Sequence, residues 1–254
     1  MNKLIAAAGF AALVSTLPSV GVAQDKKDAS PHTFTGNVGF VTDYRYRGIS
    51  QTDIKPALQG GFDYSHASGI YLGTWASNVS WLSDQGAKNS LEWDFFGGYK
   101  GTAGDFGYDV GLLQYYYPGK YDATEAVGYK SPNTTELYVA GSWKMLTLKY
   151  SYALSNIFGF PDSDGSGYVD LTGNFDIGAG FTLGAHYGYQ KIRTSLTGVD
   201  CSYSDWKLGL GKEFVGLNWG LNYVDTNANS NCYTNYRGKN LGNGTVVLSV
   251  TKTF

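Results

Sequence analysis

The 254-residue sequence is poor in several things at once: 2 Cys, 2 Met, 3 His and 6 Pro, with charged residues at only 16% and a formal net charge of −2. Without an excess of Lys and Arg there is no basic footprint for nucleic-acid phosphates, so no nucleic-acid partner is expected. Beyond the N-terminus no long uncharged apolar run occurs, which excludes a membrane-spanning helix there but not a membrane-spanning barrel of strands. The three His are scattered as His32, His66 and His186, and no long connection contains one. A surface hydrolase would want a His beside a nucleophile or paired with acids, so no enzyme and no catalytic residue is expected. Phosphate-binding Gly loops and zinc-type His motifs are absent from the sequence, and no cofactor is expected. Ser204 and Lys207 have the S-x-x-K spacing, but on a strand an odd separation puts the two side chains on opposite faces.

What is plentiful is Gly, at 35, and aromatics, with 21 Tyr, 13 Phe and 6 Trp. So many aromatics with so few charges argue against disorder. Residues 1–23 read as an export signal: Lys3 is the positive start, Leu4 to Leu17 the apolar stretch, and Gly21-Val22-Ala23 the small-residue cleavage site. Residues 24–32 read as a short leader and 33–254 as the folded unit. Export leads to an oxidising compartment in which Cys201 and Cys232, on the last two long connections, are expected to pair.

Beyond the leader, period-two alternation replaces helical periodicity. Leu91, Trp93, Phe95, Gly97 and Tyr99 alternate with Glu92, Asp94, Phe96, Gly98 and Lys100; Val215, Leu217, Trp219, Leu221 and Tyr223 interleave with Gly216, Asn218, Gly220 and Asn222. Twelve stretches of this kind lie near 33–43, 56–66, 69–79, 90–101, 105–116, 134–143, 146–155, 168–177, 180–191, 203–214, 216–225 and 244–254. Most have the length a tilted strand needs to cross a bilayer. The connections alternate long and short: long at Tyr44–Lys55, Val79–Asn89, Tyr117–Asn133, Asn156–Gly167, Ile192–Ser202 and Thr226–Asn243, short at Ala67-Ser68, Ala103-Gly104, Lys144-Met145, Gly178-Ala179 and Val215-Gly216. Tight turns at one end and long loops at the other predict an antiparallel transmembrane β-barrel with its termini at the short-turn, periplasmic end. Phe34, Tyr64, Tyr99, Phe106, Trp143, Phe175, Phe181, Phe214 and Phe254 fall at that end on the apolar parity, as an interfacial girdle would. Lys252 departs from that parity, and near an interface it can snorkel.

The stretch Gly36-Asn37-Val38-Gly39-Phe40-Val41-Thr42-Asp43-Tyr44-Arg45-Tyr46-Arg47-Gly48-Ile49-Ser50-Gln51 resembles the opening of the TorF-like family of outer-membrane proteins, called porins by analogy. Gly73–Val79 and Gly238–Gly242 are similar to further segments of that family. The resemblance implies residence in the outer membrane among lipid and lipopolysaccharide. The terminal Phe254 implies recognition by the barrel-assembly machinery.

The site expectations follow from parity. Inward acids are Asp63, Glu92, Asp94, Asp109, Glu136, Asp170, Asp176 and Asp205; inward bases are Lys100, Lys144, Lys149 and Lys207, eight against four. Glu92, Asp94, Glu136, Asp170 and Asp205 begin strands that descend from the outer end, so they are expected to gather at the outer mouth and favour cations. His186 is expected to line the lumen. Arg45 and Arg47 are expected at a solvated strand end, with Tyr115-Tyr116-Tyr117 as girdle and loop base. Asp162, Asp164, Ser166 and Asp170 match part of a calcium loop, but position 12 falls on Gly173 and turn chemistry explains the same residues. The function these readings imply is passage of small hydrophilic solutes or ions. The alternative is a surface binding or adhesion barrel that works through its outer loops.

Overall fold

A computed structural model describes residues 30–119, 131–195 and 198–254. The expected export signal, most of the leader, the middle of the third long connection and residues 196–197 lie outside the described residues. The long strands are β1 (His32–Val41), β4 (Ala57–His66), β5 (Ile70–Asn78), β6 (Leu91–Ala103), β7 (Phe106–Tyr116), β8 (Thr134–Trp143), β9 (Leu146–Ala153), β10 (Gly167–Gly178), β11 (Phe181–Lys191), β12 (Tyr203–Phe214), β13 (Leu217–Thr226) and β14 (Thr245–Thr253). Two short strands, β2 (Arg45–Tyr46) and β3 (Ile49–Ser50), form a separate hairpin inside the first long connection. The only α-helix among the described residues is α1 (Ser230–Tyr233), in the last long connection.

The twelve long strands form one closed antiparallel barrel in sequence order, sealed by β1 against β14. Closure leaves no edge strand, so every strand finds a ladder partner on both sides. The seal runs to the last residue: Phe254 N–H donates to the Gly36 carbonyl at 2.9 Å, and Gly36 N–H to the Phe254 carbonyl at 2.8 Å. Gly36 lets the Phe254 ring lie close against the strand. A Cβ there would stand 2.6 Å from the Phe254 ring.

Side chains alternate as the period predicts. Phe34, Leu58, Phe62, Leu72, Val139, Leu148, Leu171, Leu208, Phe214, Leu221 and Phe254 all point away from the lumen and are exposed. In water this would be an apolar patch far larger than a soluble protein displays; in a bilayer it is the solvent-facing surface. All five short turns hold residues with positive φ, at Gly69, Gly104, Lys144, Ala179-Gly180 and Val215-Gly216, which suits the twist of tight hairpins. The Lys144 ammonium lies 4.5 Å from the centre of the outward Trp143 ring, which corrects its assignment as an inward base. At position 144 the chain is already turning, so strand parity no longer fixes direction. Lys252 points outward and donates to the Gly216 carbonyl at 2.8 Å, beside a short turn.

Candidate functional site: the hairpin in the outer lumen

The first long connection does not stay outside. Its β2–β3 hairpin lies across the outer half of the lumen, and contacts from β6 round to β12 hold it there. Tyr44 Oη donates to Glu92 on β6 at 2.7 Å, and Tyr46 Oη to Tyr115 Oη on β7 at 2.8 Å. Arg47 Nη2 donates to both Glu136 oxygens on β8, at 3.0 and 2.8 Å, and Nη1 donates to Gln190 on β11. The same guanidinium lies 4.2 Å from the Tyr168 ring centre on β10 and 4.7 Å from that of Tyr46. At the tip, Gly48 is packed so closely on Thr226 and on Asp205 of β12 that a Cβ would overlap Thr226.

Local chemistry explains the hairpin. Arg47 and Gly48 are its two-residue turn, both with positive φ, at 46° and 81°. That geometry suits Asn-Gly or Gly-Gly, and a non-Gly residue there costs roughly 1–2 kcal/mol. The cost is offset by what the guanidinium meets: a carboxylate, an amide oxygen and two ring faces. At the base, Arg45 Nε donates to Asp43 at 2.6 Å, and Arg45 Nη1 to the carbonyls of Gly48, Leu241 and Asn243. Ser50 Oγ donates to the other Asp43 oxygen at 2.6 Å. Arg45 and Arg47 are therefore buried plug residues, contrary to the expectation of a solvated strand end. Tyr115 and Tyr117 are buried against the plug and only Tyr116 faces outward. The pattern does show a signal in retrospect: Arg47-Gly48 between Arg45-Tyr46 and Ile49-Ser50 is a two-residue turn between two short alternating runs.

The acids expected at an open mouth lie beneath this hairpin. Glu92, Asp94, Glu136 and Asp205 are only 1–2% exposed. Glu92 accepts from Tyr44 and Tyr117, the latter at 2.8 Å. Asp205 accepts from Tyr168 Oη at 2.9 Å and lies 2.8 Å from His186 Nε2, while His186 Nδ1 lies 3.4 Å from Asp170. His186 is thus clamped between two carboxylates on the lumen wall. Lys149 stands directly opposite Asp170 across the β9–β10 pair, and Lys100 opposite Asp109 across β6–β7. Lys207 is opposite His186 across β11–β12. The Lys149 and Lys100 ammonium groups stack over Tyr138 at 4.3 Å and Tyr71 at 5.1 Å. Tyr71 Oη, which donates to Asp109 at 2.6 Å, is also hydrogen-bonded to Tyr138.

Toward the periplasmic end the lining becomes small and polar. Asn174, Gly184, Gly209, Asn218, Asn222 and Ser249 surround a recess of about 30 Å³. Asp63 is half-buried and Asp176 exposed. Glu213 shares the inward parity of Asp205 and Lys207 on β12 and is exposed at the same end; the inward acids of the sequence count omit it.

The structure joins Cys201 to Cys232 in a disulfide, linking the last two long connections. The partial calcium loop is not drawn together. Asp162 and Asp164 are exposed, Ser166 Oγ donates to the Ser163 carbonyl, and Asp170 belongs to the His186 cluster. Among the described residues no group of three or more His, Cys, Asp or Glu is arranged to hold a metal.

The fold is a closed twelve-stranded antiparallel β-barrel with an apolar outer face and a polar lining. The chain belongs to the family described as "Bacterial protein of unknown function (Gcw_chp)", whose model matches residues 25–254. The COG4313 outer membrane channel from Pseudomonas putida F1 is similar in structure, with a TM-score of 0.52 at 13% identity over 92% of this chain and 100% of that one. The NanC porin aligns at a TM-score of 0.49 and 11% identity, over 87% of this chain and 98% of that one. For Pseudomonas aeruginosa OprD the values are 0.43 and 14%, over 90% and 68%. At these identities the likeness is one of fold. No curated protein matches the sequence.

Proposed function

We propose that the protein is an outer-membrane channel for small hydrophilic solutes or ions, whose conductance is set by the β2–β3 hairpin. The observation that carries this reading is a barrel with a polar periplasmic half, crossed in its outer half by a hairpin held by charged hydrogen bonds from Arg47 as well as by ring contacts of Tyr44 and Tyr46. A barrel with purely structural contents has no need of a polar, Gly-rich periplasmic half. Twelve strands lie between the eight that side chains fill and the sixteen that leave an aqueous pore, so one inserted hairpin is enough to close the outer half. The resemblance of Gly36–Gln51 to TorF-like porins agrees with this, and so does the signal-like N-terminus.

Within that reading the lumen favours cations. Inward acids outnumber inward bases even after Arg47 is set against Glu136 and Lys144 is removed, with Glu92, Asp94, Asp176 and Glu213 in excess. A surplus of carboxylates concentrates cations and repels anions. Reversal potentials across planar bilayers under a salt gradient test it. Cation preference is expected, weakened when the exposed lumen acids Asp176 and Glu213 become amides; anion preference in the unmodified protein overturns it.

The outer loops favour one second reading. A shallow, open depression lies among Asp162, Arg193, Thr194, Gly198 and Asp200, on the side where a surface-binding barrel would hold a ligand. Liposome swelling separates the two: solute entry supports the channel, and none, with or without the hairpin, supports the binding barrel.

A further inference from the structure

Buried inward carboxylates are matched, one after another, with cations. Asp43 has Arg45 and Glu136 has Arg47. Asp170 and Asp205 share His186. Asp109 faces Lys100 across β6–β7, and Asp63 is only half-buried. Asp176 and Glu213 are exposed and need no partner. Glu92 and Asp94 remain. They stand two residues apart on the same face of β6, 1% and 2% exposed, and neither forms an ion pair with a described residue. Tyr44 and Tyr117 satisfy the Glu92 oxygens without cancelling its charge.

A second observation is independent of that charge count. Asp94 Oδ1 is fully buried and has no hydrogen-bond partner. A proton on the other oxygen would remove the charge but bring no partner to Oδ1, whereas a bound cation would supply one. Burial of an ionised carboxylate is tolerated when it is paired or coordinates a metal.

We propose that Glu92 and Asp94 bind one hard divalent cation of the Ca2+ class, held between β6 and the docked hairpin. The donors are all oxygen: two carboxylates, with phenol oxygens of Tyr44 and Tyr117 at hand, which is the donor chemistry of Ca2+ and Mg2+. Ca2+ fits better, because it accepts irregular coordination where Mg2+ demands a near-ideal octahedron. Two adjacent carboxylates match the charge of one divalent ion. The site depends on the closed hairpin and not on conduction.

Terbium luminescence on detergent-refolded full-length protein tests this, since Tb3+ enters Ca2+ sites and Tyr44 and Tyr117 stand beside Glu92 as sensitisers. One saturable site is expected, emptied by Ca2+ and not by Na+ at the same concentration. Asp94→Asn or Glu92→Gln should weaken it about tenfold or more, since even supporting contacts at metal sites carry that much. Asp162→Asn combined with Asp164→Asn should leave it unchanged. No saturable signal, a signal that survives Asp94→Asn, or one lost only in the Asp162/Asp164 variant overturns the proposal. The faster migration of unboiled protein on gels verifies that each variant is folded. If neither β6 variant folds, the unmodified protein decides: Ca2+ must raise, and chelator must lower, the temperature at which the fast band disappears. A protein that binds Tb3+ but conducts nothing keeps this site and loses the channel reading; one that conducts without binding does the reverse.

Discussion

On β12, Asp205 and Glu213 share one inward parity, yet Asp205 is 2% exposed beneath the hairpin while Glu213 is open at the periplasmic end. The same contrast holds on β10 between Tyr168, which is buried, and Asp176, which is exposed. Position along the strand, and not parity, decides whether an inward charge meets water or another charge. Outer-half charges other than Glu92 and Asp94 depend on named charged partners, so removing one leaves another uncompensated. Periplasmic-half charges are solvated, and removing one leaves little behind. The two halves should therefore respond very differently to the same kind of substitution.

The largest effect is expected at Arg47. Arg47→Ala leaves Glu136 buried without its cation and removes both ring contacts, and breaking such a pair costs about 3–5 kcal/mol. Ladder closure holds the barrel, so the loss should fall on the docking of the hairpin. Single-channel conductance should rise, and protease access near Ile49 should rise with it. Arg47→Lys should recover part of the docking, because an ammonium keeps the charge but not the forked geometry. If Arg47→Ala leaves conductance unchanged, the two halves do not differ as described.

Next comes the disulfide, on the loops above the outer half. Cys201→Ser with Cys232→Ser should cost about 2–4 kcal/mol of local stability. It should be read in faster hydrogen exchange around Ile192 and Tyr233, whose hydroxyl now donates to the Cys201 carbonyl at 2.7 Å. The barrel's own unfolding should not move, since no ladder bond crosses the bridge. A large drop in barrel stability would mean that loops and barrel unfold together.

A smaller effect is expected from pH at Asp53, where the first and last outer loops meet. Burial pushes its carboxyl up, but the Lys55 hydrogen bond and the charges of Lys239 and Arg237 outweigh this and hold it below the usual aspartate range. Asn235 Nδ2 also donates to it at 2.7 Å. A lowered folded value means that the stabilisation is fully present above the unfolded value of about 3.9 and fades as pH falls through the lower folded one. Exchange around Asn235 should therefore stay constant from neutral pH to about 5 and quicken only in stronger acid, once corrected for intrinsic rates. Asp53→Asn should abolish that acid response; an unchanged response in the variant would assign it to another group.

Much of the barrel was legible because a two-sided environment writes itself into a period of two. Leu91 to Lys100 could not alternate otherwise with lipid on one side and lumen on the other. The short turns were legible as well, since Val215-Gly216 leaves no room for anything but a tight hairpin. The plug was not, because Tyr44-Arg45-Tyr46-Arg47 alternates just as a strand end does, and nothing local states which way a loop folds. Its partners, Glu136, Tyr168 and Gln190, are far away in sequence, and only closure of the barrel brings them together. Glu92 and Asp94 alternate with Leu91, Trp93 and Phe95, and that alternation carries no sign that a hairpin covers them. Parity failed at Lys144 because a residue with positive φ in a turn belongs to neither face.

The smallest effect is expected at Lys252, and it sharpens the comparison from the periplasmic side. This lysine sits on the outward parity, where a charge at mid-membrane depth would be costly, yet it lies two residues from the C-terminus and donates to the Gly216 carbonyl in an adjacent short turn. Near the interface the cost of a lysine falls to about 0–1 kcal/mol, so Lys252→Leu should change the urea unfolding midpoint only slightly. Conductance and ion preference should be unaffected, because the side chain faces away from the lumen. A shift as large as that of Arg47→Ala would mean that the periplasmic rim also depends on specific partners. The hydrogen bond to Gly216 would then be a clasp on the closing strand, and the division of the barrel into a partnered outer half and a solvated inner one would fail.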